Sequence, residues 1–406
     1  MIRRDSYMKQ LIEFKDKKLI KVITGMRRCG KSTLLDMFEE ELIKVGISVN
    51  SIIRINFESM KYDQIKDYNI LYNYLLERID KESRTYILLD EIQQVEGWEK
   101  AINSLTLDYD TDIYLTGSNA YLLSSELSTL LSGRYVEIKM LPFSFKEYIS
   151  AEDGGEQKTL DEKFESYLKY GGLPAVINLD QKDSVISMFL SGIYHTVVMK
   201  DIVQRNAVKD IALLENVIRF VLHNIGSTVS PKKISDFINS EGRKTTSETI
   251  DNYLHMLEKA YIFYSAGRFD IKGKQYLKTL KKYYIADMGL RNAILGYRDT
   301  DYGHVVENIV YLELIRRGYK VSIGKYYDFE IDFIAENQSE RIYFQVTASL
   351  LNEAVAEREF RGLEAIPDHF EKRVITMDKS FLNTKNGIKC QNVIEFLLED
   401  RQEDQS

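Results

Sequence analysis

The sequence is poor in cysteine and proline and has no long apolar run. Its 406 residues include only two Cys and four Pro. Cys29 and Cys390 are too few for a disulfide framework and lack the spacing of a metal site. We find no apolar run of the ~20 residues that span a bilayer, and the first residues lack the apolar core of a signal peptide. We therefore expect a cytoplasmic protein without a membrane partner.

The remaining composition is that of a globular protein. Apolar residues make up 44% of the chain and charged residues 29%, as in ordinary soluble domains. A net charge of −7 does not favour extensive coating of nucleic acid, although local basic patches remain compatible with it. The length of the chain predicts two to four domains.

A phosphate-binding motif follows the first apolar segment. Residues 19–24 predict a strand, residues 34–44 predict a helix, and the loop between them has the pattern G-x-x-x-x-G-K-[ST]. The loop residues are Gly25, Met26, Arg27, Arg28, Cys29, Gly30, Lys31, Ser32 and Thr33. In such a loop, glycines let backbone N–H groups surround a polyphosphate at a helix N-terminus. We expect Lys31 to reach the β- and γ-phosphates of a nucleoside triphosphate and Ser32 to ligate Mg²⁺. The alternative is a chance glycine turn before a helix.

An acidic pair ends a buried strand downstream of this loop. Strand and helix patterns alternate through about residue 140, which predicts a parallel sheet covered by helices. The apolar strand 86–89 ends in Asp90 and Glu91. We expect Asp90 to hold the magnesium ion beside Ser32, and Glu91 to orient and deprotonate the attacking water. A solvated strand end is the alternative for an isolated Asp-Glu pair.

Two further segments offer groups for the γ-phosphate, each with an ordinary structural alternative. Ser118 and Asn119 follow an apolar strand and would either sense the γ-phosphate or cap the next helix. Arg134 follows a glycine turn and would either reach the γ-phosphate of a neighbouring subunit or lie on the surface at the start of a strand. The same two alternatives apply to Arg27 and Arg28.

The middle of the chain has two helical segments of different character. Residues 141–208 show helical patterns with a Gly-Gly-Leu-Pro break at 171–174, which predicts a lid over the nucleotide. Residues 209–300 show the order helix, short helix, helix and hairpin, typical of a winged helix-turn-helix with 245–259 in the recognition position. Between 209 and 291 there are 14 Lys or Arg and 9 Asp or Glu. We expect five wing lysines to contact DNA phosphates: Lys272, Lys274, Lys278, Lys281 and Lys282. A protein-binding winged helix and a solvated hairpin remain alternatives.

Four segments together resemble a family of prokaryotic AAA+-like P-loop ATPases: GMRRCGKSTLL, ILLDEIQQVEGWEKAINSL, LTGSNA and GGLPAVI. Members of this family typically end in a domain of unknown function that is similar to the PD-(D/E)xK nuclease fold. The resemblance implies ATP as the nucleotide and a sheet in which a sensor strand separates the acidic strand from the P-loop strand. By the same similarity, Asp90, Glu91, Asn119 and Arg134 take the roles described above.

The last segment has the layout of that nuclease fold with an altered centre. Glu307 lies on a predicted helix, Asp332 on a strand of alternating acidic and apolar residues, and Gln345 and Thr347 on the next strand. By the family pattern, Glu307 and Asp332 match carboxylates that hold a second Mg²⁺. Gln345 and Thr347 replace the Glu and Lys of the pattern, and Thr347 cannot supply an ammonium group to activate water.

We therefore expect an α/β protein of four segments: a P-loop AAA+-like ATPase core (1–140), a helical lid (141–208), a winged helix (209–300) and a nuclease-like domain (301–406). Its expected activity is Mg²⁺-dependent ATP hydrolysis that regulates the winged helix and an inactive nuclease-like domain. DNA and further copies of the chain are the candidate partners. The alternative is an ATP-regulated, metal-dependent DNA endonuclease. A protein that only holds ATP is disfavoured, because holding ATP does not need Glu91.

Overall fold

The computed structural model describes residues 2–118, 120, 133–151, 158–179, 182–297, 302–379 and 383–399, apart from the side chains of 278 and 279. The chain forms two compact units. The first comprises Met1–Pro142 and Lys259–Tyr261, and the second comprises Phe143–Glu258 and Ile262–Ser406. Asn119, predicted to sense the γ-phosphate, lies outside the described residues.

The first unit is built on a five-stranded parallel sheet. Its strands are β1 (Ile20–Thr24), β2 (Ile52–Asn56), β3 (Thr85–Asp90), β4 (Thr111–Gly117) and β5 (Tyr135–Lys139). Their order is β2-β3-β4-β1-β5, and every neighbouring pair is parallel. The predicted parallel α/β sheet is confirmed, and β4 separates the acidic strand from the P-loop strand.

Helices of the first unit bury this sheet. They are α1 (Asp5–Glu13), α2 (Lys31–Lys44), α3 (Tyr68–Leu76) and α4 (Trp98–Asp108). Every residue of β1 and β3 is buried, which explains why both strands are nearly continuous apolar runs. Asp67 begins α3, because its carboxylate accepts the N–H groups of Asn69 and Ile70, which have no partner within the helix. The parallel strands end at one edge, where the P-loop and the acidic pair meet.

The second unit begins with the helices of the predicted lid. These are α5 (Phe145–Ala151), α6 (Leu160–Tyr170), α7 (Pro174–Ile177) and α8 (Asp183–Thr196), which continues as a π-helix (Val197–Gln204). The Gly-Gly-Leu-Pro break separates α6 from α7. Gly171 has φ +78°, and a Cβ there would lie 2.2 Å from Asp287 Oδ1. The Asp287 carboxylate accepts the N–H of Gly172 at 2.7 Å, so this turn is fixed by a buried acid.

One helical segment has the length of a membrane span. Asp183–Gln204 is long and apolar enough to cross a bilayer, with a mean hydropathy of 1.2 and 44% of its window buried. The sequence-based expectation of no such segment considered only uninterrupted apolar runs. Ile186, Leu190 and Ile193 are buried within the second unit, as in a core helix of a globular protein. The absence of a membrane partner stays a prediction.

A nine-stranded mixed sheet organises the rest of the second unit. Its strands are β6 (Thr228–Val229), β7 (Phe263–Asp270), β8 (Gln275–Ile285), β9 (Lys320–Tyr326), β10 (Phe329–Glu336), β11 (Arg341–Thr347), β12 (Glu371–Thr376), β13 (Thr384–Lys385) and β14 (Ile388–Asn392). Their order is β13-β14-β12-β11-β10-β9-β7-β8-β6. The remaining helices are α9 (Ile211–His223), α10 (Pro231–Ser240), α11 (Ser247–Lys259), α12 (Met288–Leu295), α13 (Tyr302–Arg316), α14 (Glu353–Glu364) and α15 (Val393–Leu398).

The predicted third and fourth segments share this sheet. Strand β7 of the hairpin pairs in parallel with β9, and β9, β10 and β11 continue as an antiparallel meander. The hairpin predicted as a wing is therefore hydrogen-bonded to the strands predicted as nuclease-like. The four-segment division of the chain stays a prediction, whereas the structure groups the chain into two units.

Candidate functional site

The P-loop connects β1 to α2, and its path requires glycine. Gly25 has φ +148° and Gly30 has φ +103°, values that favour glycine over residues with a side chain. A Cβ on Gly25 would lie 2.2 Å from the carbonyl oxygen of Met140, so a larger residue cannot fit without moving the backbone. Arg4 Nη1 donates to the carbonyl oxygen of Cys29 at 3.1 Å, which holds the loop from the N-terminal segment.

Several predicted loop residues face the interior. Met26 and Cys29 are fully buried, so they offer a ligand only their backbone. Burial raises the pKa of the Cys29 thiol, which keeps this group neutral and unreactive. Ser32 is partly exposed and Thr33 is exposed at the start of α2. These positions let the hydroxyl groups reach a ligand at the helix N-terminus.

Lys31 opens α2, and its side chain is almost fully buried. Its Nζ donates to the carbonyl oxygens of Gly25 and Met26, each at 3.1 Å, and lies 3.8 Å from Glu91 Oε1. Gly30 directly precedes α2, and no side chain caps the N-terminus of this helix. The first N–H groups of a helix have no partner within it. A buried ammonium beside an uncapped helix N-terminus fits a polyphosphate.

Asp90 lies at the end of β3, fully buried and surrounded by donors. Its carboxylate accepts from Asn56 Nδ2 at 3.1 Å and from the Thr116 hydroxyl. Arg54 Nη2 lies 3.5 Å from Asp90 Oδ2 and 3.5 Å from the carbonyl oxygen of Ser32. The Asp90 carboxylate and the backbone of Ser32, the two residues predicted to bind magnesium, therefore both lie within 3.5 Å of one guanidinium group. An Asp carboxylate and a Ser hydroxyl are oxygen ligands of the kind that Mg²⁺ bound with ATP takes, since this ion uses one or two protein ligands besides phosphate oxygens and water.

Glu91 follows Asp90 in an unusual backbone conformation. Its φ is +54°, which costs a residue with a side chain about 1–3 kcal/mol. The Glu91 N–H donates to Thr116 Oγ1 at 2.9 Å, and Gln93 Nε2 donates to Glu91 Oε2. Only 6% of Glu91 is exposed. The strained turn thus directs a buried carboxylate towards Lys31, as a general base next to a phosphate site requires.

Sequence reasoning missed the polar side chains that hold the acidic pair: Arg54, Asn56, Gln93 and Thr116. A signal was present for three of them. Arg54 and Asn56 alternate with buried apolar residues along β2, which places both on one face. Thr116 is a buried hydroxyl that directly follows the apolar run 113–115 of β4. Their partner could not be read from the sequence, because it lies on β3.

The predicted γ-phosphate sensors lie in different surroundings. Ser118 is fully buried, and its Oγ has no hydrogen-bond partner among the described residues. A buried hydroxyl in this position fits a hydrogen bond to a ligand. Arg27 Nη1 forms an ion pair with Glu58 Oε1 at 2.9 Å. Arg28 is exposed with φ +69°.

Arg134 lies near the N-terminal ends of the parallel strands, whereas the P-loop follows the C-terminal end of β1. Its carbonyl oxygen accepts the N–H of Ile20 at 2.8 Å, and Ile20 is the first residue of β1. Gly25 follows the other end of that strand, about 15 Å away at the ordinary rise per residue. The side chain of Arg134 is exposed. It therefore does not complete the site in its own chain, and a role in a neighbouring subunit stays a prediction.

The predicted second metal site contains an ammonium group. Lys282 Nζ lies 3.0 Å from Glu307 Oε1, 3.0 Å from Glu330 Oε1 and 3.3 Å from Asp332 Oδ1. The interpretation of Lys282 as a phosphate contact on the wing is wrong, because only 4% of this residue is exposed. Alternation along β8 turns Lys282 and Tyr284 to the same face, and both contact Glu307.

The altered nuclease motif lies beside this cluster. Gln345 Nε2 donates to Glu359 Oε2 at 2.8 Å, and its Oε1 accepts the N–H of Asp332 at 3.4 Å. Thr347 Oγ1 donates to the carbonyl oxygen of Ser349 at 3.3 Å. Within the part of the chain that the structure describes, no group of three or more His, Cys, Asp or Glu has the arrangement of a metal site.

Comparison with known proteins identifies two matched segments and two relatives that align with most of the chain. Residues 17–149 match an AAA domain (AAA_14), and residues 161–301 match a domain of unknown function (DUF8612). An uncharacterized protein of Haemophilus influenzae is 44% identical over 404 residues, which cover 98% of this chain and 99% of that protein. An uncharacterized protein of Methanocaldococcus jannaschii is 31% identical over 366 residues, covering 86% of this chain and 79% of that protein.

A solved structure shares the fold. The Walker-type ATPase PABY2304 of Pyrococcus abyssi superposes with a TM-score of 0.52 at 17% identity, covering 72% of this chain and 96% of that one. The AAA match and this shared fold support nucleotide binding and ATP hydrolysis by the first unit. The second matched segment ends at residue 301, so neither matched domain covers the part predicted to be nuclease-like.

Proposed function

Since the chain belongs to the family of its Haemophilus and Methanocaldococcus relatives and carries an AAA domain, we propose that it is a cytoplasmic, Mg²⁺-dependent ATPase whose hydrolysis cycle regulates its second unit. The observation that carries the proposal is the meeting of Lys31, Asp90 and Glu91 at one edge of the sheet. Lys31 Nζ lies 3.8 Å from Glu91 Oε1, and the helix N-terminus beside them is uncapped. These groups together fit phosphate binding and water activation.

Each side chain of the site has a distinct task in this proposal. Lys31 exchanges the carbonyl oxygens of the P-loop for phosphate oxygens when ATP binds. The Ser32 hydroxyl and Asp90 hold Mg²⁺, which neutralises charge on the transferring phosphoryl group. Glu91 accepts the proton of the attacking water. The Ser118 hydroxyl donates to an oxygen of the γ-phosphate or of that water, and Asn119 remains the second sensor candidate.

Arg134 extends the proposal to an assembly of several copies. Because it lies at the edge of the sheet away from its own P-loop, it can act only on the nucleotide of another subunit. A guanidinium group supplied in trans stabilises the charge that develops on the γ-phosphate. The proposal therefore includes a homo-oligomer, in which Arg134→Ala lowers ATP turnover without changing nucleotide affinity.

Regulation of the second unit is supported by a short segment, Lys259–Tyr261. These residues group with the first unit, although the chain before and after them belongs to the second. The Tyr261 hydroxyl donates to Glu137 Oε1 at 3.1 Å, and the same oxygen accepts from the Thr24 hydroxyl. Thr24 directly precedes Gly25 of the P-loop. A movement of the loop on ATP binding would therefore reach the link between α11 and β7.

DNA binding through the winged-helix segment is part of the proposal. Three wing lysines are exposed: Lys272, Lys274 and Lys281. When a lysine neutralises a DNA phosphate, the plot of log affinity against log salt concentration becomes steeper by about 0.9. In gel shifts over a salt series, Lys272→Ala/Lys274→Ala should lower this slope by about 2. The control Lys18→Ala/Lys44→Ala, on the first unit, should leave it unchanged. Absence of binding by the wild type at low salt would remove DNA as a partner.

A DNA endonuclease is the second candidate function. The observation that favours it is the approach of Glu307 and Asp332 to one point, where hydrolytic sites hold metal. Thr347 on β11 opposes it, since it cannot supply the ammonium group of the nuclease pattern. Incubation of supercoiled DNA with the wild type and Mg²⁺ or Mn²⁺ tests this candidate directly.

Lys31→Ala tests the nucleotide site, with Lys44→Ala as the matched control. Both lysines lie on α2, but Lys44 is exposed at its far end. We expect Lys31→Ala to lose ATP binding and hydrolysis at least 100-fold, because a buried ammonium beside the phosphates is removed. Lys44→Ala should behave as the wild type. Equal rates of hydrolysis in all three proteins would overturn the proposed function.

A further inference from the structure

We propose that Lys282 is the built-in cation of the carboxylate cluster of the second unit and takes the place of a divalent metal ion there. The cluster consists of Lys282 on β8, Glu307 on α13, and Glu330 and Asp332 on β10. None of these residues belongs to the nucleotide site, so the inference does not depend on ATP hydrolysis. According to this inference, the ammonium group of Lys282 neutralises the carboxylates, and the cluster binds no metal ion.

The number of donors and acceptors supports this assignment. A lysine ammonium has three N–H donors and no acceptor. Lys282 has three carboxylate oxygens within 3.3 Å, one each from Glu307, Glu330 and Asp332. Its donors are therefore matched by the protein alone, and the side chain is only 4% exposed. No donor remains for a substrate, and the ammonium has little access to solvent.

The carboxylate oxygens are also engaged by fixed groups. Asp332 Oδ2 accepts the N–H of Val346 at 2.9 Å, and Glu307 Oε1 accepts the Tyr284 hydroxyl at 2.7 Å. His304 Nδ1 lies 3.7 Å from Glu307 Oε2. Binding of a metal ion would require these oxygens to give up partners that the fold itself supplies. Buried polar networks of this kind hold a unique arrangement when every member is satisfied.

Electrostatics keep the ammonium charged in this position. Burial alone lowers the pKa of Lys282, but the attraction of Asp332, Glu307 and Glu330 raises it overall. Burial, followed by repulsion from Glu307, raises the pKa of Asp332 to about 7. A divalent cation at the same point would lie next to a positive charge held in place by ion pairs. It would also need ligand oxygens at 2.0–2.6 Å in a nearly complete shell.

Removal of Lys282 should convert the cluster into a metal site. We compare the nucleotide-free wild type, Lys282→Ala, Asp332→Asn and the double variant, with Mn²⁺ as the probe. Bound Mn²⁺ is counted by electron paramagnetic resonance, and the melting temperature is recorded with and without the metal. Without metal, Lys282→Ala should melt about 10 °C below the wild type, because the buried carboxylates of Glu307 and Asp332 lose their counter-ion. With Mn²⁺ at a hundred times its Kd, this variant should regain about 5 °C.

The variants separate this inference from a true metal site. Wild type and Asp332→Asn should bind the same amount of Mn²⁺, Lys282→Ala should bind one more equivalent, and the double variant should lose it. Wild-type Mn²⁺ binding that disappears in Asp332→Asn would overturn the proposal, as would metal-dependent DNA cleavage that this variant abolishes. Folded Lys282→Ala without the extra ion would also overturn it. If Lys282→Ala does not fold, the comparison of wild type with Asp332→Asn still decides the question.

Discussion

The replacement of Thr116 by Val tests whether one hydroxyl positions both acidic residues of the nucleotide site. Thr116 Oγ1 accepts the N–H of Glu91 at 2.9 Å and donates to the Asp90 carboxylate. Thr116 is fully buried, and valine has nearly the same shape without the hydroxyl. The substitution therefore removes two hydrogen bonds without opening a cavity. It leaves the Glu91 N–H buried and unpaired at a residue with φ +54°.

The loss of these two hydrogen bonds determines how far the stability of the first unit and kcat should fall. A hydrogen bond to a charged group contributes about 1.5–3 kcal/mol, and a buried donor without a partner costs about 1–3 kcal/mol. The free energy of unfolding of the first unit should therefore fall by about 2.5–6 kcal/mol. A displacement of Glu91 by about 1 Å should lower kcat about 100-fold. The KM for ATP should change by less than about threefold, since Lys31 and the P-loop are untouched.

Two measurements check this expectation. Steady-state ATP hydrolysis gives kcat and KM. Urea unfolding followed by Trp98 fluorescence gives the stability of the first unit. Trp98 reports on this unit because it is the only tryptophan in the sequence and lies in that unit. Thr106→Val is the matched control, since its hydroxyl donates to the carbonyl oxygen of Ile102 within α4. The control should retain kcat. A wild-type kcat in Thr116→Val would refute the positioning role of Thr116.

Three further predictions concern other parts of the structure. Gly25→Ala should abolish nucleotide binding, measured with a fluorescent ATP analogue, because the added Cβ would lie 2.2 Å from the carbonyl oxygen of Met140; retained affinity would contradict the described loop. Tyr261→Phe should lower the stability of the first unit by about 1 kcal/mol in urea, because the hydroxyl no longer donates to Glu137; an unchanged midpoint would argue against this contact. Burial raises the pKa of Asp287 from 3.8 to about 6. The folded second unit thus holds a proton that the unfolded chain releases. The contribution of Asp287 to the stability of that unit should be largest below pH 3.8 and fall by about 3 kcal/mol as the pH rises through 6. Asp287→Asn should lack this fall in urea titrations followed by circular dichroism.

The nucleotide site could be predicted from the sequence because its main chemistry is local. The P-loop lies within nine consecutive residues, and the acidic pair directly follows an apolar strand. The side chains that hold the pair, Thr116 and Arg54, could not be assigned, since they come from other strands and only the strand order brings them together. Asn119 lies outside the described residues, so its sensor role stays a prediction.

The second unit was harder to predict because its contacts are not local. Lys282 was grouped with the wing lysines by charge, whereas the structure turns it inward to meet Glu307 and Asp332. The alternation of Lys282 and Tyr284 along β8 was the available signal. Strands β7 and β9 pair in parallel although strand β8 and helices α12 and α13 lie between them in the sequence. Such a pairing has no turn sequence that would predict it. For this reason the hairpin and the meander were assigned to separate segments.

The measurement that tests the central claim most directly is ATP turnover by Glu91→Gln, combined with its affinity for ATP. Glutamine keeps the size of the side chain and still accepts from Gln93, but it cannot take a proton from water. The account predicts ATP affinity within about threefold of the wild type and a kcat at least 100-fold lower. A Glu91→Gln protein that hydrolyses ATP at the wild-type rate would contradict the assignment of this site as an ATPase centre with Glu91 as its base.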